Sequence, residues 1–444
     1  MVNATSTLVD EELEGRVKCW GSMAATNGCI YGIPCGAHGV VKFTPFHKSI
    51  TYIGPDFGGG LKWIRGAMTC SGVIYWVPRC GLRGILKINT NTDTVTELDR
   101  NLLPEQGVDM WESCATALDR CIYCMPPSAH HIMKIDPNNN DTMSSVGDDL
   151  GSGECKYSGM VVGIDGCVYD MPEWFATDLI IKYDPITDAT SFVGQEGSKL
   201  FECGGGALGR DGCIYAITDD GEVLKIDTTK NSHCFVGNSI ESDYDQHYQG
   251  WGDASLGIDG CIYWPPYYAR HMLKYDPHAN QTSLVGDDFG DTAYKWCGGC
   301  LASDGVIDCI PRVAERILAI DPWKEYTSSL KNTMVQHPEH LGCIFHPSDE
   351  MPNETNFDDA ATKFGYAKVL KAFEAFTYMY PADEVGVISD LYPFMIAASY
   401  RNSDLSMIFI LLRLASLPQL SALSCELRQP HSYRNENSTF KILK

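Results

Sequence analysis

Gly28-Cys29-Ile30-Tyr31-Gly32-Ile33-Pro34 is the stretch that decides the fold, because it recurs. Copies lie at Gly72–Pro78, Cys121–Pro126, Gly166–Pro172, Gly212–Thr218, Gly260–Pro266 and Gly305–Pro311. The tyrosine slot falls at Tyr31, Tyr75, Tyr123, Tyr169, Tyr215, Tyr263 and Asp308, giving intervals of 44, 48, 46, 46, 48 and 45 residues. Self-similarity at a near-constant period of this length is the mark of a repeat architecture.

Three further anchors travel with each copy. About twelve residues before the tyrosine slot stands an aromatic: Trp20, Trp63, Trp111, Tyr157, Phe201, Trp251 and Trp296. About eleven after it comes a Leu-Lys-Ile-Asp-Pro block, as at Met133–Pro137, Leu273–Pro277 and Leu318–Pro322. A Val-Gly-Asp-Asp block follows, clearest at Val146–Gly151 and Val285–Gly290. These resolve into four short strands, a to d, with no helical periodicity between them. Asn27-Gly28, Asp165-Gly166, Asp211-Gly212 and Asp259-Gly260 are hairpin signals between a and b, since such turns need positive φ. Asp-Pro at 136, 184, 276 and 321 turns the chain between c and d. The predicted fold is all-β: a seven-bladed β-propeller of four-stranded antiparallel blades over residues 17–335. Residues 1–16 form an N-terminal segment. Ser6–Leu13 repeats the pattern of Thr282–Phe289, so residues 4–9 are expected to complete the last blade and cover its edge.

Beyond the propeller the pattern changes. Residues 336–356 read as a linker and 357–420 as a small α-helical segment, with 421–444 a polar tail expected to be disordered. Tyr392-Pro393-Phe394-Met395-Ile396-Ala397-Ala398 resembles the Thr-Pro-Leu-His-x-Ala-Ala signature of ankyrin repeats, with Tyr for Thr and Met for His.

The charge balance is 34 basic against 57 acidic residues, a net −23. Nucleic acid and anionic membranes demand clustered Lys and Arg, so neither is an expected partner. No signal peptide or membrane-spanning run is visible, which predicts a soluble cytoplasmic protein. Cys29, Cys121, Cys167, Cys213 and Cys261 share a slot that holds Val73 and Val306 in the other two copies. They therefore read as small buried hydrophobes with reduced thiols.

Antiparallel order places the b–c and d–a loops on one face of the disc. They are longer and chemically richer than the turns opposite, so binding is expected there. The b–c loops carry His38, Arg83, His130, Arg270 and His271; the longest d–a loop carries Asp243, Asp245 and His247. With Trp63, Trp111, Trp251 and Trp296 these are the candidate ligand-binding residues. Each set has a plainer reading: the aromatics as packing between blades, the His/Arg set as partners of the acidic loops. The strand-c lysines read as solvated or paired with the Asp that follows. The Asp-rich loops lack the ligand spacing of an EF-hand, and the Cys-x-x-Cys pairs have no second pair nearby. No catalytic motif, metal site or cofactor site is identified.

Trp296-Cys297-Gly298-Gly299, Asp259–Tyr263 and Leu273–Pro277 resemble the repeat unit of uncharacterised propeller-repeat proteins of microalgae. Kelch and WD propellers share the architecture only. The resemblance implies a fold and no activity. A binding or scaffolding propeller follows, a monomer taking a protein partner or a small polar ligand. The alternative is a hydrolase or lyase of a sugar or small ester, which would need histidine and carboxylate groups converging at the channel mouth.

Overall fold

The computed structural model describes residues 4–322, other than 14, 16, 46, 80–82, 105–110, 126–128, 152–156, 158, 173–178, 195–202, 220, 239, 241–249, 258 and 303–304. Seven four-stranded antiparallel sheets are present, and each of the first six is made of consecutive strands in the order a-b-c-d. Blade 2 is representative: strand a is Trp63–Met68, b is Val73–Pro78, c is Leu86–Asn89 and d is Thr94–Glu97. Strands a of successive blades touch one another, so they line the central channel, and strands d form the outer rim.

The sequence makes this layout stable through its alternation. Strand b is buried on both faces, as in Cys213–Ile217, because it lies inside its own sheet and under both neighbours. Strand d alternates into solvent, as in Thr142–Val146. The apolar cores lie between blades. Ile64, Tyr75, Val77 and Ile85 of blade 2 pack against Trp111, Ile122, Met133 and Ile135 of blade 3. The shared cysteine slot is buried at Cys121, Cys167, Cys213 and Cys261 and half-buried at Cys29.

The ring closes where the sequence places the seam. Thr5–Glu12 is the outermost strand of blade 7 and runs antiparallel to Arg316–Asp321, with Leu8 opposite Leu318. Val9 and Leu13 are buried, and Glu12 pairs with Arg316 at 2.8 Å. The predicted linker 336–356, helical segment 357–420 and tail 421–444 lie outside the described residues, as do residues 323–335.

The a–b hairpins turn on glycines in the left-handed region, such as Gly212 (φ +77°) and Gly260 (φ +82°). In blade 3 Arg120 adopts the same conformation at φ 68°. The strand-c lysines do not pair with the Asp that follows them, which corrects the expectation above. Lys134, Lys182, Lys225 and Lys274 reach instead to Asp119, Asp165, Asp211 and Asp259 of their own a–b turns. Side chains alternate across a strand, so the lysine and the Asp two residues on share a face; but that Asp is already engaged in the c–d turn, as when Asp136 accepts from the Asn138 amide. Blades 1 and 2 have no Asp in the a–b turn. There Lys42 and Lys87 take Asp93 and Asp141 from the next blade's c–d turn.

Candidate functional site

The four predicted tryptophans are buried. Trp63, Trp251 and Trp296 donate their indole N–H groups to the carbonyls of Gly84, His271 and Arg316, fastening strand a to the chain that leads into strand c. Trp111 is equally buried between blades 2 and 3. The structure thus places all four rings in packing positions. Of the b–c loop set, His38 pairs with Asp56 at 2.8 Å and His130 with Asp149 at 3.0 Å. Arg83 holds Glu97 and the Phe57 carbonyl, and Arg270 holds Asp288 and Asp291. Each contact ties together loops on the rim of the expected face. They are spread round the rim and do not converge. His271 contributes its carbonyl to Trp251. Asp243, Asp245 and His247 lie outside the described residues.

Convergence occurs further in, at the channel mouth. Ten positions before each tyrosine slot the chain reads Gly21, Arg65, Ser113, Gly159, Gly205, Asp253 and Gly298. These residues face the axis and line a cavity of about 160 Å³, with Trp20, Gly66, Cys114 and Gly299 among the other lining groups. Glycine is required at two of these positions. A Cβ on Gly159 would meet the backbone of Gly205, and one on Gly205 would meet the Asp253 carboxylate. Small residues therefore let the blades approach, and the two charged members face each other. The Arg65 guanidinium donates to Asp253, which also accepts from the Gly205 amide at 3.0 Å.

Asp170 lies against the same wall. It is fully buried on strand b of blade 4, where it accepts from the Ser113 hydroxyl and from the amides of Gly159 and Met171. Burial pushes its carboxyl up to about 7; the three hydrogen bonds and the nearby Arg65 charge oppose that rise.

Trp20 stands eleven residues before its tyrosine slot, whereas Trp63, Trp111, Tyr157, Trp251 and Trp296 stand twelve. Near-extended chain presents alternate residues to opposite sides, so the offset turns this ring into the cavity. Cys19 takes the buried packing position in its place. In blade 5 Cys203 does the same, bridging Thr218, and Phe201 lies outside the described residues. Two arginines lie over the Trp20 ring, Arg312 with its guanidinium carbon 3.8 Å from the centroid and Arg79 at 4.5 Å. Both occupy one repeat position, directly after the proline that ends strand b. Position-by-position alignment of the repeats, beyond their hydrophobic pattern, is the signal that finds Trp20, Arg65, Asp253, Arg79 and Arg312.

No family model matches the chain, and no curated protein matches it in sequence. Solved structures do match in fold. A streptogramin B lyase is similar with a TM-score of 0.58 and 14% identity, over 72% of this chain and 97% of that one. A catalytically inactive virginiamycin B lyase from Staphylococcus aureus with quinupristin gives 0.57 and 12%, over 71% and 99%. Kuenenia stuttgartiensis hydrazine synthase gives 0.52 and 10%, over 69% and 96%. At such identities the likeness concerns the propeller fold alone.

Proposed function

We propose that the protein is a binding propeller that recognises a small polar ligand, or a polar group on a protein partner, at the channel mouth of its loop-rich face. The observation that carries this reading is the asymmetry of the mouth. In a ring of mainly glycines, blades 2 and 6 alone supply charge, through Arg65 and Asp253, beside the inward-turned Trp20. A few placed polar groups in a concave, partly apolar setting orient a ligand. The cavity is small, about 160 Å³. It suits a single functional group, not a polymer.

The test is saturation-transfer NMR on the full chain with a panel of amino acids, organic acids, amines and mono- and disaccharides. Binding by one class, reduced in Trp20→Ala with its circular dichroism unchanged, is the expected result. Silence across the panel and across a peptide array would overturn the reading.

The second reading, a hydrolase or lyase of a sugar or small ester, is favoured by Asp170, whose carboxyl exchanges its proton near neutrality beside Ser113. Among the described residues no histidine lines the cavity. Turnover of nitrophenyl esters or glycosides, abolished in Asp170→Asn without loss of folding, would support it. No turnover by the wild type would remove it.

A further inference from the structure

We infer that Cys114 and Cys124 form a modification site, oxidised by a small peroxide to a cross-strand disulfide on the wall of the channel mouth. The inference goes beyond the binding reading and does not depend on it. Three observations carry it.

The first is register. Cys114 of strand a and Cys124 of strand b stand directly opposite one another in blade 3. At the turn the Ala117 amide donates to the Cys121 carbonyl (3.0 Å). Hydrogen-bonded pairs recur at every second residue of an antiparallel ladder, so the next such pair is Ala115 with Tyr123. Cys114 and Cys124, one step further, are therefore a non-hydrogen-bonded pair. The Cα atoms of such a pair lie about 4.5 Å apart, within the span of about 4.4–6.8 Å that a disulfide bridges. Both side chains lie on one face of the sheet, where the Cys114 thiol donates to Cys124 Sγ at 2.8 Å.

The second is what blade 3 does differently. Cys114 stands nine residues before the tyrosine slot and Cys124 one after it. No other blade has cysteine at both positions: blade 1 has Ser22 with Gly32, blade 5 Gly206 with Ala216 and blade 7 Gly299 with Cys309. The cysteines of the repeated slot lie in equivalent places of different blades, whereas these two share one hairpin.

The third is access. Cys114 is half-buried and lines the cavity of about 160 Å³, while Cys124 is fully buried in the core between blades 2 and 3. A solute therefore meets Cys114 first, and the confined cavity suits a small peroxide as oxidant. With hydrogen peroxide the Cys114 sulfur attacks one oxygen, the O–O bond breaks, and water leaves with the thiol proton, giving a sulfenic acid. The Cys124 sulfur then attacks the Cys114 sulfur, the S–O bond breaks, and a second water carries off the hydroxyl and the Cys124 proton. Two thiols lose two electrons and the peroxide gains them. Burial and the hydrogen bond to Cys124 hold the Cys114 thiol well above its usual range. The thiolate is the nucleophile, so the bridge forms slowly near neutrality. Once formed, it ties strand a to strand b beside Ser113, the residue whose hydroxyl holds Asp170.

Mass spectrometry of the full chain tests the proposal: the reduced protein is held for hours in hydrogen peroxide, unfolded, alkylated at its remaining thiols and cut with trypsin. The expected product joins residues 101–120 to residues 121–134 and comes apart in dithiothreitol. Cys114→Ser and Cys124→Ala, residues that the repeat itself carries at Ser22 and Ala216, should each abolish it. Cys121→Val, matching Val73, should leave it intact. Fragmentation of the wild-type product assigns the bridge to Cys124 or Cys121 directly, so the result stands even where a variant fails to fold. A bridge through Cys121, Cys114 carried to its sulfinic acid with Cys124 unlinked, or both thiols fully alkylated after the peroxide would each overturn the proposal.

Discussion

The Arg65 guanidinium reaches across the channel to the Asp253 carboxylate, joining strand a of blade 2 to the head of strand a in blade 6 over a separation of 188 residues. Both side chains are about one-fifth exposed, so neither charge is well solvated alone. Removing one partner strands the other. Arg65→Met should therefore cost about 3 kcal/mol in urea unfolding, with Asp253→Leu similar. The double variant should cost less than the two together, because it leaves no orphan charge. Strict additivity would show that the pair contributes nothing jointly.

Stability should respond to pH through Asp170. Its carboxyl titrates near 7 in the folded chain and near 3.8 when unfolded, so the folded state holds the extra proton between those values. The stabilisation is complete below pH 3.8 and is lost as pH rises through about 7, a difference on the order of 4 kcal/mol. Denaturation midpoints taken from pH 5 to pH 8 should fall for the wild type. Asp170→Asn stays neutral throughout and should lose that component of the slope. Parallel profiles for the two proteins would exclude Asp170 as the source.

The fold was legible because it is written seven times. One Ile-Tyr strand or one Asp-Gly turn is a weak sign, but a strand order has to satisfy all copies at once. The seam was legible for the same reason, since Thr5–Glu12 is a strand d without a blade. The site was less so. Hydrophobic anchors identify what the blades share, whereas a site depends on what one blade does differently. Trp20 differs from its counterparts by a single position, and that reverses the face it presents. Arg65 and Asp253 are distinctive only once their column is seen to be otherwise Gly or Ser. Asp170 follows its tyrosine where other blades have Gly, Trp, Cys or Ala, and its burial becomes apparent only when Ser113 of the preceding blade closes over it.

The seam should behave as a separable strand. Deleting residues 1–13 removes the buried Ala4, Val9 and Leu13 and bares the Arg316–Asp321 edge. Full burial of a Val or Leu side chain is worth about 1.5–3 kcal/mol, so the loss should be several kcal/mol and accompanied by self-association through the free edge. A synthetic peptide of residues 1–13 added in trans should return the sedimentation coefficient to that of the full chain in analytical ultracentrifugation. A truncated chain that keeps the association state of the full chain and unfolds at the wild-type midpoint would show that the strand is dispensable.

The Asp of the a–b turn should matter more than its surface position suggests. Asp211 accepts from the Cys213 amide, the Tyr215 hydroxyl at 2.7 Å and the Lys225 ammonium at 2.8 Å, and Lys225 lies over the Tyr215 ring. Tyr215 is fully buried, so its hydroxyl depends on this carboxylate. Asp211→Ala leaves that hydroxyl and the half-buried ammonium without their acceptor, and should cost about 2–3 kcal/mol. Tyr215→Phe removes a single hydrogen bond and should cost about 1 kcal/mol. In the double variant the stranded hydroxyl is gone, so the combined loss should fall short of the sum by at least ~0.5 kcal/mol. Asp141 serves Tyr75 and Lys87 from the neighbouring blade, so Asp141→Ala should loosen the contact between blades 2 and 3. Hydrogen exchange would then rise in the strands of both blades, whereas Asp211→Ala should raise it in blade 5. The same exchange pattern from both substitutions would refute the distinction between a tie within a blade and a tie between blades.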